Sequence, residues 1–148
     1  PITGPLINMM LYLTTLMLGA SAGVALGVIT PLVALLRGQL PPVLFAFVPF
    51  IIIGNALLVV VYFFVSKSKK YEKIYFSVIH WIGVVSASVV KFSWLFLSAK
   101  FMLPLLFGKA LPPALITMMA LPQLLTALIG GVLATIIFNL LKRLKIQK

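Results

Sequence analysis

VVSASVVKFSWLFLSA, residues 84–99, decides the fold, because a single charge, Lys91, interrupts an otherwise membrane-like run. Read outward from Lys91, the apolar run extends from Ile74 to Met102. That exceeds the roughly 20 residues of helix that a bilayer's hydrocarbon core requires. A lysine near the bilayer centre costs about 2.5–3.5 kcal/mol on insertion scales, so the direction it faces matters. With about 3.6 residues per turn, the face carrying Lys91 also carries Ser77, His80, Val84, Ala87, Ser88, Trp94, Leu95 and Ser98. The opposite face carries Ile82, Val85, Val89 and Phe96. Most polar side chains of this segment share the lysine's stripe, which therefore points into a protein interior while the other face suits lipid or dry packing.

The rest of the chain agrees. Of 148 residues, 63% are hydrophobic and only 9% charged, with mean hydropathy +1.24. Soluble domains are about a quarter charged, so most of this surface meets lipid. Net charge is +11, from twelve Lys and Arg against one acid, Glu72. In a soluble protein that balance would suggest nucleic acid; here the basic residues cluster at the ends of apolar runs and read as topology signals. No nucleic-acid partner is expected. The chain has no cysteine, so disulfides and thiolate metal sites are impossible. No signal-peptide pattern opens the chain.

Five spans are predicted, at about 5–18, 23–36, 42–65, 74–102 and 113–141, in one transmembrane domain over 1–148. The first two are joined by a turn at Gly19-Ala20-Ser21-Ala22. Pro31, Pro49 and Pro122 are expected to kink or end their helices locally. Gly19, Gly23 and Gly27 share a helix face if that turn lies further upstream, either for internal packing or for docking against another membrane subunit. Lys67, Lys69, Lys70 and Lys73 fall in one loop, and Lys142, Arg143, Lys145 and Lys148 in the tail. Two spans separate these clusters, and the positive-inside rule makes both cytoplasmic. The opposite side receives Arg37, Lys100 and Lys109. Eight charges against three orient the chain with Pro1 outside and the C-terminus in the cytoplasm. An uncharged external start that is not methionine predicts a six-span protein whose first helix precedes this chain.

Three helices then place polar side chains at one depth in the outer half. Lys91 lies about eleven residues, or roughly 16 Å, from the outer end of its span, too deep for its stem to reach water. Asn55 and Gln123 lie at similar depth, Gln123 on a face otherwise lined by Ala127, Gly130 and Ala134 that leaves room for a ligand. Tyr62 shares the face of Asn55 but lies deeper. Each also has a plainer reading: amides bridge helices, Lys91 can bond carbonyls freed by Pro49 or Pro122, Trp94 can fill core, and His80 near the cytoplasmic end is a packing residue. No Asp or Glu occurs in any span, and one histidine without cysteine leaves no metal site. No nucleophile–base–orienter set can be assembled, so the chain is not an enzyme and no cofactor is implied. A lysine with no carboxylate to neutralise it points to an anionic group arriving from outside.

The run GPLINMMLYLTTLMLGASAGVALGVITPLVALLRGQLPP (residues 4–42), followed by PFIIIGNALLVVVYFF (residues 49–64), resembles the substrate-binding S component of an energy-coupling factor (ECF) vitamin transporter. The likeness covers residues 4–141, aligned with that family's helices two to six, and rests on Gly and Pro placement and apolar texture. It implies an all-α, polytopic membrane helical bundle in the cell membrane of a prokaryote, capturing a vitamin or related micronutrient from outside. It also implies association with a transmembrane coupling protein and two ATPases that hydrolyse ATP. The family's alanine-rich first helix has no counterpart here. The absence of buried acids weighs against thiamine-like cations, and the absence of an N-terminal histidine motif against the nickel and cobalt branch. The expected site comprises Lys91 for the anion, Asn55 and Gln123 for its polar core, Trp94 and Tyr62 for its apolar part, with Ser88 beside Lys91. Two other classes fit the same residues: a structural subunit whose Lys91 pairs with a neighbouring chain's acid, and a small anion-selective channel or facilitator.

Overall fold

Seven helical segments follow one another in the described residues, 2–39, 42–66, 78–108 and 112–146 of a computed structural model, which contain no strand. They are α1 (Thr3–Leu18), α2 (Ala20–Leu36), α3 (Val48–Ser66), α4 (Val78–Leu97), α5 (Leu103–Phe107), α6 (Pro113–Met118) and α7 (Leu121–Ile146). A 3-10 turn, Pro42–Phe47, leads into α3, and a π-helical turn, Ser98–Met102, joins α4 to α5. The expected basic loop with Lys67, Lys69, Lys70, Lys73 and Glu72 lies outside the described residues. So do the start of the fourth span at 74–77 with Ser77, and Lys109 and Lys148.

Three helical stretches are long and apolar enough to cross a membrane: Leu44–Ser66, Val78–Leu106 and Ile116–Leu144. The helices α1 and α2 are apolar but hold only 16 and 17 residues. At 1.5 Å per residue each is about 25 Å long, a little short of the roughly 30 Å hydrocarbon core. Outward-facing positions carry Ile82, Val85 and Val89 on α4 and Leu125, Ile129, Val132 and Ile136 on α7, all exposed. Apolar side chains at helical spacing on the outer surface suit a lipid environment.

Glycine and proline set the local geometry. The turn between α1 and α2 is Gly19 alone, at φ 94° and ψ 178°, a backbone region open essentially only to glycine. Ala20, Ser21 and Ala22, expected in the turn, are instead the first residues of α2. Gly23, Gly27 and Pro31 consequently form the buried stripe of α2, with Gly23 against Thr15 and Val59 and Gly27 against Asn55. The glycine face thus serves internal packing. Pro49 and Pro122 do not kink helices; each is the second residue of one, α3 and α7, where a missing N–H leaves no bond unmade. The fifth span is accordingly broken at Met119-Ala120, where short-range bonds run from Met119 N–H to Ile116 O and from Ala120 N–H to Thr117 O.

The helices pack α1 on α7 and α2, α3 on α4 and α2, and α4 on α7. Two apolar clusters form the core. One gathers Leu11, Tyr12, Leu58, Val59, Tyr62, Val84, Ala87, Ala127 and Ala134. The other gathers Leu44, Phe47, Phe50, Leu95, Ala99, Leu103 and Met119. Along α3 and α4 the two are separated by Asn55 and Lys91, so a polar layer crosses the bundle between two dry ones. The face of α4 agrees with the sequence: His80, Val84, Ala87, Ser88, Lys91, Leu95 and Ser98 are buried.

Candidate functional site

Lys91 is 4% exposed and far from partnerless. Its Nζ donates to Asn8 Oδ1 at 2.6 Å and to Asn55 Oδ1 at 2.8 Å. Hydrogen bonds to a charged group contribute about 1.5–3 kcal/mol each. Two of them offset the insertion cost of the lysine without any ligand. Charge is a separate matter: no Asp or Glu occurs among the described residues, so neutral dipoles hold the ammonium and nothing neutralises it.

The amide of Asn55 is oriented by α2. Pro31 has no N–H to give to the Gly27 carbonyl four residues earlier. Asn55 Nδ2 takes that carbonyl instead, at 3.0 Å, and the absence of a side chain at Gly27 permits the approach; a Cβ there would sit 3.0 Å from the Asn55 Cβ. With its N–H side committed to α2, Asn55 presents its oxygen to Lys91. Asn8 Nδ2 lies 3.4 Å from Thr126 Oγ1, a long contact, and that hydroxyl bonds back to Gln123 O at 3.1 Å. Lys91 on α4 is therefore tied to α1 and α3 directly, and through these to α7 and α2.

Beside this layer lies a cavity of about 160 Å³, whose polar walls are Asn8, Thr30, Asn55, Lys91 and Gln123, with Pro31 among the apolar ones. Lys91, Asn55 and Gln123 are thus brought together, as their common depth predicted. Gln123 is half-buried, and among the described residues its amide nitrogen reaches Met119 Sδ alone, at 4.0 Å. Thr30 Oγ1 is buried without a hydrogen-bond partner among the described residues.

The described walls do not include Ser88, Tyr62 or Trp94. Ser88 bonds the Tyr12 hydroxyl at 3.0 Å, which itself donates to Val84 O at 3.2 Å. Tyr62 lies deeper, edge-on to Tyr12 with ring centroids 4.9 Å apart, and its hydroxyl meets His80 Nδ1 at 2.9 Å. Trp94 donates to Phe50 O at 2.9 Å and packs in the second apolar cluster. The room expected beside Ala127, Gly130 and Ala134 is taken by neighbouring helices, with α1 seated directly on Gly130. His80 is buried and spans from Tyr62 to Thr135, whose Oγ1 is 2.7 Å from its Nε2. Because the Thr135 hydroxyl donates to Gly131 O, its oxygen accepts from Nε2–H, leaving Nδ1 to accept from Tyr62. Replacing Thr135 with Val should cost about 1–2 kcal/mol of stability, visible as a lower melting temperature, without changing ligand affinity, because this chain lies outside the cavity.

Asn8 and Thr30 were not legible from the sequence. Asn8 stood close to the predicted end of its span, where an asparagine at the water boundary is ordinary. A threonine inside a helix ordinarily bonds the carbonyl three or four residues back, and only coordinates show that Thr30 does not.

An apolar bundle with a cationic polar layer opening on a cavity is the architecture of a membrane subunit that binds a small molecule. The profile of the family described as "ECF transporter, substrate-specific component" matches residues 1–141. The chain belongs to that family, whose members are transport subunits rather than enzymes, bind small-molecule substrates, and work with a transmembrane coupling protein and ATPases. No curated protein and no solved structure matches it.

Proposed function

We propose that this chain captures a small anionic micronutrient, vitamin-like in size, from outside the cell and holds it in the cavity beside Lys91. The observation that supports this reading most is the lysine itself: a buried cation on the wall of a cavity, bonded to two neutral amides and paired with no carboxylate among the described residues. An anion supplied by the substrate completes the charge pair. Gln123, whose amide nitrogen has only a long sulfur contact among the described residues, hydrogen-bonds the substrate's polar part, and Asn55 acts through its bond to Lys91. Trp94, Tyr62 and Ser88 support the packing around the layer.

The chain forms one transmembrane domain and crosses a prokaryotic cell membrane five times, with the C-terminus cytoplasmic. Its partners are one coupling protein and two ATPases, which perform the hydrolysis. Lys91 points away from lipid, which disfavours a role in pairing with an acid on a neighbouring chain. An anion channel would need a continuous polar path, and the two apolar clusters above and below the layer oppose one. Mass spectrometry of small molecules co-purified with the detergent-solubilised protein tests the reading. An acidic molecule bound stoichiometrically is the expected result; a cationic or neutral one, with no acid retained, overturns it.

A further inference from the structure

We infer that the two asparagines are not substrate contacts but a clamp that aims Lys91, and that Thr30 is the second group that grips the anion. The inference rests on the anion-binding reading above. It follows from counting which hydrogen-bonding groups are already committed. Asn55 uses Oδ1 on Lys91 and Nδ2 on Gly27 O. Asn8 uses Oδ1 on Lys91 and turns Nδ2 to Thr126. Each amide therefore has its oxygen on Lys91 and an N–H turned to another helix. An ammonium has three N–H donors; two are held by the clamp, and the third has no partner among the described residues.

The cavity wall still offers three donors to a ligand: the third N–H of Lys91, the hydroxyl of Thr30 and the amide nitrogen of Gln123. Thr30 carries the most weight. A hydroxyl inside a helix has a default acceptor in the preceding turn, and a buried hydroxyl without a partner is destabilising. Thr30 Oγ1 is buried, has no partner among the described residues, and belongs to the wall of the cavity that Lys91 also lines. Three converging donors, one of them cationic, suit an acceptor-rich ligand that carries a single negative charge. A carboxylate satisfies both, one oxygen on Lys91 and the other on Thr30. The cavity, at about 160 Å³, has room beside these donors for one ring or a short chain, given that roughly 150 Å³ accommodates benzene. The ligand class is a monocarboxylate with a ring or short chain beside its carboxyl group.

The test uses the full chain in detergent, with benzoate as probe and benzamide as its neutral counterpart, in wild type, Thr30→Val, Asn55→Asp and Lys91→Met. Thr30→Val is expected to keep or raise the melting temperature of the ligand-free protein, because a buried unpaired hydroxyl is removed. It should weaken benzoate about tenfold, the loss of one hydrogen bond to a charged group. Asn55→Asp places a carboxylate where Oδ1 now holds Nζ. It should weaken benzoate by more than about tenfold, because the cation is neutralised from within, with no gain in ligand-free melting temperature, since the carboxylate cannot donate to Gly27 O as Nδ2 does. If Lys91→Met abolishes binding while Thr30→Val and Asn55→Asp bind as wild type does, the clamp and the role of Thr30 are overturned and the anion reading stands. A lower ligand-free melting temperature for Thr30→Val, with unchanged affinity, assigns Thr30 to structure and also overturns the inference. If benzoate gives no saturable response beyond benzamide, or Lys91→Met binds it as wild type does, the anion reading itself fails and the inference with it.

Discussion

Lys91→Met is expected to lower affinity for the co-purified ligand by about a hundredfold or more, since removing one member of a buried charge pair costs several kcal/mol. Stability should change far less, and the reason is a near cancellation. The substitution leaves Asn8 Oδ1 and Asn55 Oδ1 facing a thioether, at about 1–3 kcal/mol for each unsatisfied acceptor. It also relieves the desolvation of an ammonium, worth about 2.5–3.5 kcal/mol at mid-membrane. Isothermal titration of the ligand, beside thermal unfolding of the ligand-free protein, separates the two effects. Retention of wild-type affinity in a folded Lys91→Met protein would remove the lysine from the site. A variant that loses binding and unfolds together would instead mark Lys91 as a structural strut.

Gly130→Ala is expected to be the most damaging single methyl in the chain. A Cβ at Gly130 would lie 2.6 Å from the Asn8 Cβ and 2.8 Å from the Met9 backbone nitrogen. Backbone cannot rotate away as a side chain can, so α1 and α7 must separate. Overpacking of this kind costs about 1–3 kcal/mol. The displaced helix carries Asn8, which lies 2.6 Å from Lys91 Nζ, so ligand affinity should fall alongside stability. Val132→Ala, on the exposed face of the same helix, serves as the control and should change neither. Unaltered melting and binding in Gly130→Ala would show that α1 does not seat on α7 as described.

Much of the helix pattern was legible because helices in lipid announce themselves by length and apolarity. The inward stripe of α4 follows from spacing alone, and so does the common depth of Lys91, Asn55 and Gln123. Helix ends were less legible. Pro122 lies within an unbroken apolar run from Pro113 to Leu141, and hydropathy cannot distinguish a kink from a helix start. Backbone bonding decides it, with Gln123 N–H reaching Ala120 O just where α7 begins. The extent of α2 turned on whether Gly19 alone could make the turn, a matter of one residue's dihedral angles.

By itself the sequence determined the solvent, the helical class, the buried face of α4 and the fact that Lys91 has no acidic residue in any span to neutralise it. All of these depend on composition and on positions within a single segment. Only the tertiary structure decided what Lys91 touches. Asn8 is 83 residues away along the chain and Asn55 36, and nothing local marks either as its partner. The same holds for the carbonyl that Pro31 frees and Asn55 occupies, for the hydroxyl of Thr30, buried with no partner among the described residues, and for α1 filling the space beside Gly130. A hydrogen bond requires two atoms at about 3 Å, and separation along a chain does not specify separation in space. The identity of the residues led to the proposed anion; the packing of the helices decides which donors face the cavity.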